Sequence, residues 1–289
     1  MAAMQNAADA VHASIALEEK ISVDATAAER ISALTKKRHV MVVKNISSKR
    51  YVLYEKVEET PKDLFLSFMP HDGNNIQFLP GMFVMIGGID SQGKTFPKRA
   101  FSVASEPSSN NIDVLAIKEP HNRPSHFIEA EVGDVFIIEG PHGKFTIDQP
   151  NSKMLFVAGG TGYAPFRSAL REILRNGSGG NADIHLLWSL KHTEEIARRE
   201  ELASMIKSIR GLSVTITITR SDEGTQEFQP EAWKREAGRI NADMLRRDVP
   251  DAAERAAYIC GSNDFGKSVE AALLSVGTPK EKIKKDIWG

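Results

Sequence analysis

The chain has 289 residues, 41% hydrophobic and 26% charged, which suits two soluble globular domains of about 100–200 residues each. Its formal net charge of -1 gives no pull toward nucleic acid or an anionic membrane, and no apolar run approaches the roughly 20 residues that span a bilayer. Cys260 is the single cysteine, which excludes an intrachain disulfide, a zinc site built on several cysteines and a self-contained cysteine-ligated iron–sulfur cluster, and fits a reducing, cytoplasmic setting.

Residues 1–36 lack proline and glycine and are rich in alanine. Val11, Ile15, Ile31 and Leu34 recur at helical spacing, and Asp24 is placed to cap a second helix. Asp9, Glu18, Glu19, Asp24 and Glu29 argue against a transit peptide, and the missing apolar core argues against a secretory signal. The segment reads as a helical extension that docks to the body or a partner, with a loosely ordered arm as the alternative.

From residue 37 to 148 the chain reads as short strands broken by turn residues. Candidate strands are His39–Lys44, Tyr51–Val57, Leu64–Phe68, Met82–Ile86, Ala100–Ala104, Ile112–Ile117 and Val135–Glu139, with one short helix at Ser125–Ala130. Pro61, His71-Asp72-Gly73-Asn74-Asn75, Pro80-Gly81 and Ser108-Ser109-Asn110-Asn111 separate them, a rhythm that predicts an antiparallel β-barrel or sandwich. No His121/His126 spacing or other histidine pattern suits a metal, so none is expected.

From 149 to 289 strands alternate with helices, which predicts an α/β doubly wound parallel sheet. The strands are Met154–Ala158, Ile184–Trp188, Val214–Thr219 and Ala257–Cys260; the helices are Ala164–Arg175, Thr193–Lys207, a region around Asn241–Arg247, and Asp264–Val276. Between the first strand and helix lies Gly159-Gly160-Thr161-Gly162-Tyr163-Ala164-Pro165. Such a turn brings backbone N–H groups and a helix N-terminus to one point, which suits a pyrophosphate. Side chains at Gly160 and Gly162 would obstruct the phosphates, and Pro165 sits where a missing N–H costs little. An ordinary strand-to-helix turn is the other reading of the same residues.

Four motifs stand in order along the two regions: Arg99-Ala100-Phe101-Ser102, Gly140-Pro141-His142-Gly143-Lys144-Phe145, the Gly160-Thr161-Gly162 turn, and Cys260-Gly261-Ser262. Together they resemble the ferredoxin–NADP reductase family of flavoproteins, and Lys285-Asp286-Ile287-Trp288-Gly289 is similar to the acidic-x-aromatic ending of many members. The resemblance runs from about Lys37 to Gly289. It implies a flavin-binding β-barrel at 37–148 and an NAD(P)-binding domain at 149–289, with residues 1–36 outside it.

What the resemblance implies for the residues is specific. Arg99 offers a charged planar fork to a flavin phosphate. Phe101 lies on the isoalloxazine ring and Ser102 meets its N5 region, although strand alternation sends neighbouring side chains to opposite faces. Ala100, Ile117, Lys118, Gly140 and Gly143 complete the flavin contacts. Ser125 helps hold the flavin pyrophosphate, but the preceding His121-Asn122-Arg123-Pro124 lacks the family's glycine, so FMN stays beside FAD. Thr161 and the Gly160–Gly162 backbone hold the dinucleotide, and Cys260 and Gly261 flank the nicotinamide. Trp288 covers the flavin and Asp286 polarises the site. In place of an acidic residue for the ribose 2′-OH there are Ser189-Leu190-Lys191 and Thr219-Arg220, so Lys191 and Arg220 tilt the choice from NADH toward NADPH. The implied activity is an NAD(P)H-dependent flavoprotein oxidoreductase that passes a hydride to flavin and electrons to a separate acceptor protein or small molecule. A non-catalytic flavin- or nucleotide-binding subunit and a reductase of free flavin are the alternatives.

Overall fold

A computed structural model describes residues 46–89, 95–118, 126–147, 153–177, 183–220 and 232–289. All belong to one compact unit, Asn45–Gly289. The expected strand His39–Lys44, the extension 1–36, Ser125 and the 148/149 domain boundary lie outside the described residues.

Six antiparallel strands form the first sheet: β1 (Ser47–Glu58), β2 (Asp63–Pro70), β3 (Phe83–Ile89), β4 (Thr95–Ser102), β5 (Ile112–Ile117) and β6 (Val135–His142). Their order is β4-β3-β6-β1-β2-β5. Beyond the end of β4, the Ala104 N–H bonds the Asp113 carbonyl of β5 at 2.8 Å, so the two rim strands approach and the sheet nearly closes as a barrel. Leu64, Leu66 and Phe68 are buried together with their partners Ala116, Val114 and Ile112. Between them Phe65 and Leu115 are also paired and buried, but on the other face, where they join the core of the second sheet. That outward packing explains why β2 is apolar almost throughout instead of alternating. A short helix α1 (His126–Glu129) carries Phe127, which stacks on Phe136 at 5.7 Å between ring centres.

The second sheet holds β7 (Lys153–Gly159), β8 (Asp183–Leu190), β9 (Leu212–Ile218), β10 (Lys234–Ala237), β11 (Ala256–Ser262) and β12 (Ile283–Trp288), all parallel, in the order β10-β9-β8-β7-β11-β12. Helices α2 (Ala164–Arg175) and α3 (Arg199–Ser208) cover one face through Phe166, Leu170, Leu202 and Met205. Helices α4 (Ala242–Asp248) and α5 (Asn263–Ser275) cover the other through Met244, Leu245, Val269 and Leu273. The strands serve both faces by alternation: Met154, Phe156 and Ala158 turn to one, Leu155 and Val157 to the other. Asn241 and Ser262 start α4 and α5 by accepting the Met244 and Phe265 amides, while Gly177 in the left-handed region closes α2. Among the described residues no helix is long and apolar enough to cross a membrane.

The expected continuous helix Thr193–Lys207 is corrected. A single 3-10 turn, Thr193–Glu195, comes first; Ile196 is extended, Arg198 has a φ of 51°, and α3 begins only at Arg199. Ile196 and Ala197 leave the helical path to enter the core. The carboxylate of Glu195 meanwhile accepts the Lys191 amide at 2.9 Å, which holds the turn open. β4 also begins and ends earlier than the expected Ala100–Ala104. Two edge strands carry no sequence prediction of their own, β10 with Lys234-Arg235-Glu236-Ala237 and β12, because charged, half-exposed edges lack an apolar period.

Candidate functional site

In the second sheet the chain moves from β7 to β8 on one side and returns to β11 on the other. The ends of β7 and β11 therefore bound the topological switch point, where open α/β sheets hold ligands. Gly160 opens the turn with a φ of 55°, and a Cβ there would meet nothing within 4 Å, so the space beside it is open. Gly162 differs. A Cβ there would lie 2.2 Å from the Cys260 carbonyl oxygen, so the packing of β11 alone already requires glycine at this position. Trp188 donates its indole N–H to the Gly160 carbonyl at 2.9 Å and stacks on Tyr163 at 4.2 Å, which fixes the turn from below. The Phe265 ring fills the space that side chains at Gly159 and Gly261 would need.

The turn opens into a cleft of about 560 Å³. Its walls include Gly159, Gly160 and Thr161; Ser189, Lys191 and Thr219 from the ends of β8 and β9; Ser262 at the end of β11 and Phe265 beyond it; and Trp288. The barrel contributes Lys62, Asp63 and Ile117. Pro165 lies in the first turn of α2, buried.

Three polar groups meet at one edge of this region. Cys260 on β11 and Asp286 on β12 are directly paired in register, and the thiol lies 3.9 Å from the Asp286 carboxylate. Ser102, at the end of β4 in the barrel, directs its hydroxyl to the same carboxylate oxygen at 3.5 Å. Cys260 is fully buried, and burial first, then the Asp286 charge, pushes its thiol well above the ordinary range. Burial likewise raises the Asp286 carboxyl, against the hydrogen bonds from Ser102 and Cys260. The thiol therefore stays protonated at neutral pH: it packs and donates, but it is no nucleophile.

On the barrel side, Phe101 and Ser102 face opposite ways, as alternation requires. Phe101 is half-buried and packs edge-to-face on Phe127 at 5.0 Å, while Ser102 turns toward β12. Arg99 is half-buried opposite Ile86, and Ala100 is exposed opposite Met85. A Cβ on Gly140 would press to 2.9 Å on Val84, and Gly143, with a φ of 98°, approaches the Phe83 ring. Ile117 reaches the cleft wall, whereas the Lys118 ammonium is engaged by Glu58 at 2.9 Å and by the Thr60 carbonyl.

At the far end, Arg220 is exposed and donates its backbone N–H to the Lys191 carbonyl at 3.1 Å; among the described residues it is not part of the cleft wall. Arg239 is, carried there by β10 and by Gly238, whose N–H bonds the Ile218 carbonyl at 2.8 Å. Sequence reasoning missed Arg239 because its supporting strand has no apolar pattern, although the Gly238-Arg239 pair after a charged run marks a turn. It also missed Glu195, a nearly buried carboxylate in the cleft wall that Lys62 bonds from the barrel. Burial works against the Glu195 charge, but Lys62 and the Lys191 amide outweigh it and hold the carboxyl below its usual range. Among the described residues no cluster of His, Cys, Asp or Glu is arranged to hold a metal ion.

Residues 156–271 match the family model described as "Oxidoreductase NAD-binding domain". The chain is 28% identical over 216 residues to the glycine betaine monooxygenase reductase subunit of Chromohalobacter salexigens, covering 73% of this chain and 56% of that one. It thus spans little more than half the length of that relative. In solved structures, the Flavohem-like-FAD/NAD binding domain of nitric oxide dioxygenase from Vibrio cholerae O1 biovar El Tor shares the fold, with a TM-score of 0.71 at 18% identity over 83% of this chain and 98% of that one. Ferredoxin–NADP reductase B of Sorangium cellulosum is 30% identical over 227 residues, which are 75% of this chain and 88% of that protein. Likeness on that scale, carried by a near-closed barrel beside a parallel sheet with its glycine turn at the switch point, places the chain in the ferredoxin–NADP reductase family.

Proposed function

We propose that the chain is an NAD(P)H-dependent flavin oxidoreductase that delivers electrons to an acceptor outside these 289 residues. The observation that carries this reading is the meeting of Ser102, from the barrel, with Cys260 and Asp286 at the edge of the parallel sheet. The residues fit a flavin and a dinucleotide: a hydroxyl and a raised carboxyl converge from two layers, beside a cleft with open space at Gly160. A bound flavin, FAD in preference to FMN, supplies a ring that accepts a hydride from the nicotinamide and releases its electrons singly or in pairs.

The chain's own work is binding and alignment. The amides of Gly160 and Thr161, at the start of α2, hold the dinucleotide pyrophosphate, with Gly162 and Pro165 shaping the turn. Ser189, Lys191 and Arg239, with Arg220 nearby, serve the adenosine end, where two cations favour the 2′-phosphate of NADPH. Cys260 and Gly261 form the wall against the nicotinamide, Ser102 and Asp286 hold a proton-bearing polar pair there, and Trp288 covers the cleft. Arg99 supplies charge to the flavin phosphates, while Ala100, Phe101, Ile117, the Lys118 backbone, Gly140 and Gly143 form the flavin floor, with Ser125 at its pyrophosphate. The barrel at 37–148 and the α/β region at 149–289 divide these two tasks.

The partner is an electron-accepting protein or small molecule. One relative's name, a reductase subunit of a monooxygenase, supports a protein. The single buried cysteine supports it too, since no cysteine-ligated cluster can be built from these residues, and fits a cytoplasmic setting. The test is NADPH and NADH oxidation by flavin-loaded protein with ferricyanide as acceptor; turnover with either nucleotide supports the reading, and none with both contradicts it. Replacing Lys191 or Arg239 with alanine is expected to raise the KM for NADPH about tenfold, the loss of one charge-assisted hydrogen bond, with little change for NADH.

A further inference from the structure

Helix α2 leaves the glycine turn carrying Arg167, Arg171 and Arg175 at successive four-residue steps, hence on one face. Arg167 is 1% exposed. Its guanidinium gives two hydrogen bonds to Glu201 on α3, at 2.7 and 3.0 Å, and two across the seam to the barrel. Those two go to the Ala104 carbonyl at 2.8 Å and the Asp113 carboxylate at 2.9 Å. Arg171 grips Glu106 and Glu201, and Arg175 lies 3.9 Å from Glu106. The barrel partners at 104 and 106 lie in the connection from β4 to β5, which begins directly after Ser102, and Asp113 lies at the start of β5. Beneath it the Phe65 ring lies 5.0 Å from the Arg167 guanidinium and 4.3 Å from that of Arg198.

None of these arginines belongs to the cleft wall, and apolar contacts around Phe65, Leu115 and Phe166 already hold the two layers together. Burying charges is a poor route to stability, whereas their directional hydrogen bonds define one relative placement, which non-directional apolar packing does not. One end of the grip is rooted two residues from Ser102 and the other two residues beyond Pro165.

We propose that Arg167 and Asp113 form a positioning pair, which fixes the glycine turn and Ser102 in one frame so that nicotinamide and flavin meet in reactive alignment. The inference rests on the proposed function. It assigns the pair no contact with either ligand, so its loss changes alignment and not affinity. A misplacement of about 1 Å costs roughly 10²-fold in rate, so a loosened seam is visible kinetically.

The test uses the flavin-loaded full chain as wild type, Arg167→Lys, Asp113→Asn and Glu201→Gln, the last removing a partner on the α/β side only. Two experiments are run: anaerobic flavin reduction, which gives the limiting rate and the nucleotide Kd, and hydrogen exchange of residues 104–113 without nucleotide. Arg167→Lys and Asp113→Asn are expected to slow the limiting rate about tenfold or more, to leave Kd within about twofold, and to speed exchange in 104–113. Glu201→Gln should lose stability but keep the rate within about threefold. If Arg167→Lys does not fold, Asp113→Asn decides by the same two readouts. An unchanged limiting rate, or one that falls only in step with Kd or flavin content, overturns the proposal. Wild-type protein that neither nucleotide reduces overturns the functional reading and this inference with it; a reduced wild type with full-rate variants overturns this inference alone.

Discussion

Cys260 has two faces as a residue: a reactive thiol by type, and a sealed one by position. It is fully buried, and burial with the Asp286 charge keeps it protonated. Folded protein is therefore expected to resist iodoacetamide at pH 8 and to react once in denaturant; rapid labelling of the native state would contradict this. Asp63 gives a second residue-level prediction. Burial raises its carboxyl to about 6, so the folded state holds a proton that the unfolded state has released, and stability falls as pH rises from about 4 to about 6. Asp63→Asn removes that loss: the variant should gain roughly 2–3 kcal/mol over wild type by pH 7.5, in denaturant titrations, and nothing near pH 4. Ser102, Cys260 and Asp286 are each legible in the sequence through their motifs. Their meeting is not, because 184 residues separate Ser102 from Asp286 and only the strand order brings them together.

At the scale of elements, the two glycines of the turn separate binding from folding. Gly160 needs its left-handed backbone but has open space, so Gly160→Ala should cost about 1–2 kcal/mol and weaken nucleotide binding. Gly162→Ala would drive a methyl into the Cys260 carbonyl and part β11 from the turn, so it should lower Tm more than Gly160→Ala does, even without nucleotide. Equal Tm values for the two variants would contradict the packing role. Elements with a strong period were readable: the helix Ala164–Arg175 and the strand Ile112–Ile117 fall where the sequence puts them. The break at Ile196–Arg198 was not, because the buried Ile196 and Ala197 fit a helical period equally well until the core is known. The charged edge strands β10 and β12 stayed hidden for the opposite reason: backbone pairing to a neighbour, not an apolar face, makes them strands.

The whole molecule joins two sheets through one apolar core and a set of charged ties across the seam, Lys62 to Glu195 on the cleft side and Arg167 to Asp113 behind it. Fold class and order of layers were legible, since short punctuated strands followed by strand–helix alternation admit few architectures. The ties were not, because a buried arginine and a surface arginine look alike in one sequence. In the proposed function this seam brings a nicotinamide to a flavin. The most direct measurement of that meeting is anaerobic mixing of flavin-loaded protein with NADPH or NADH, followed through the flavin absorbance. Bleaching by NADPH is expected, with slower or weaker bleaching by NADH and a limiting rate that falls in Ser102→Ala; a flavin that stays oxidised with both nucleotides would rule out hydride transfer at this seam.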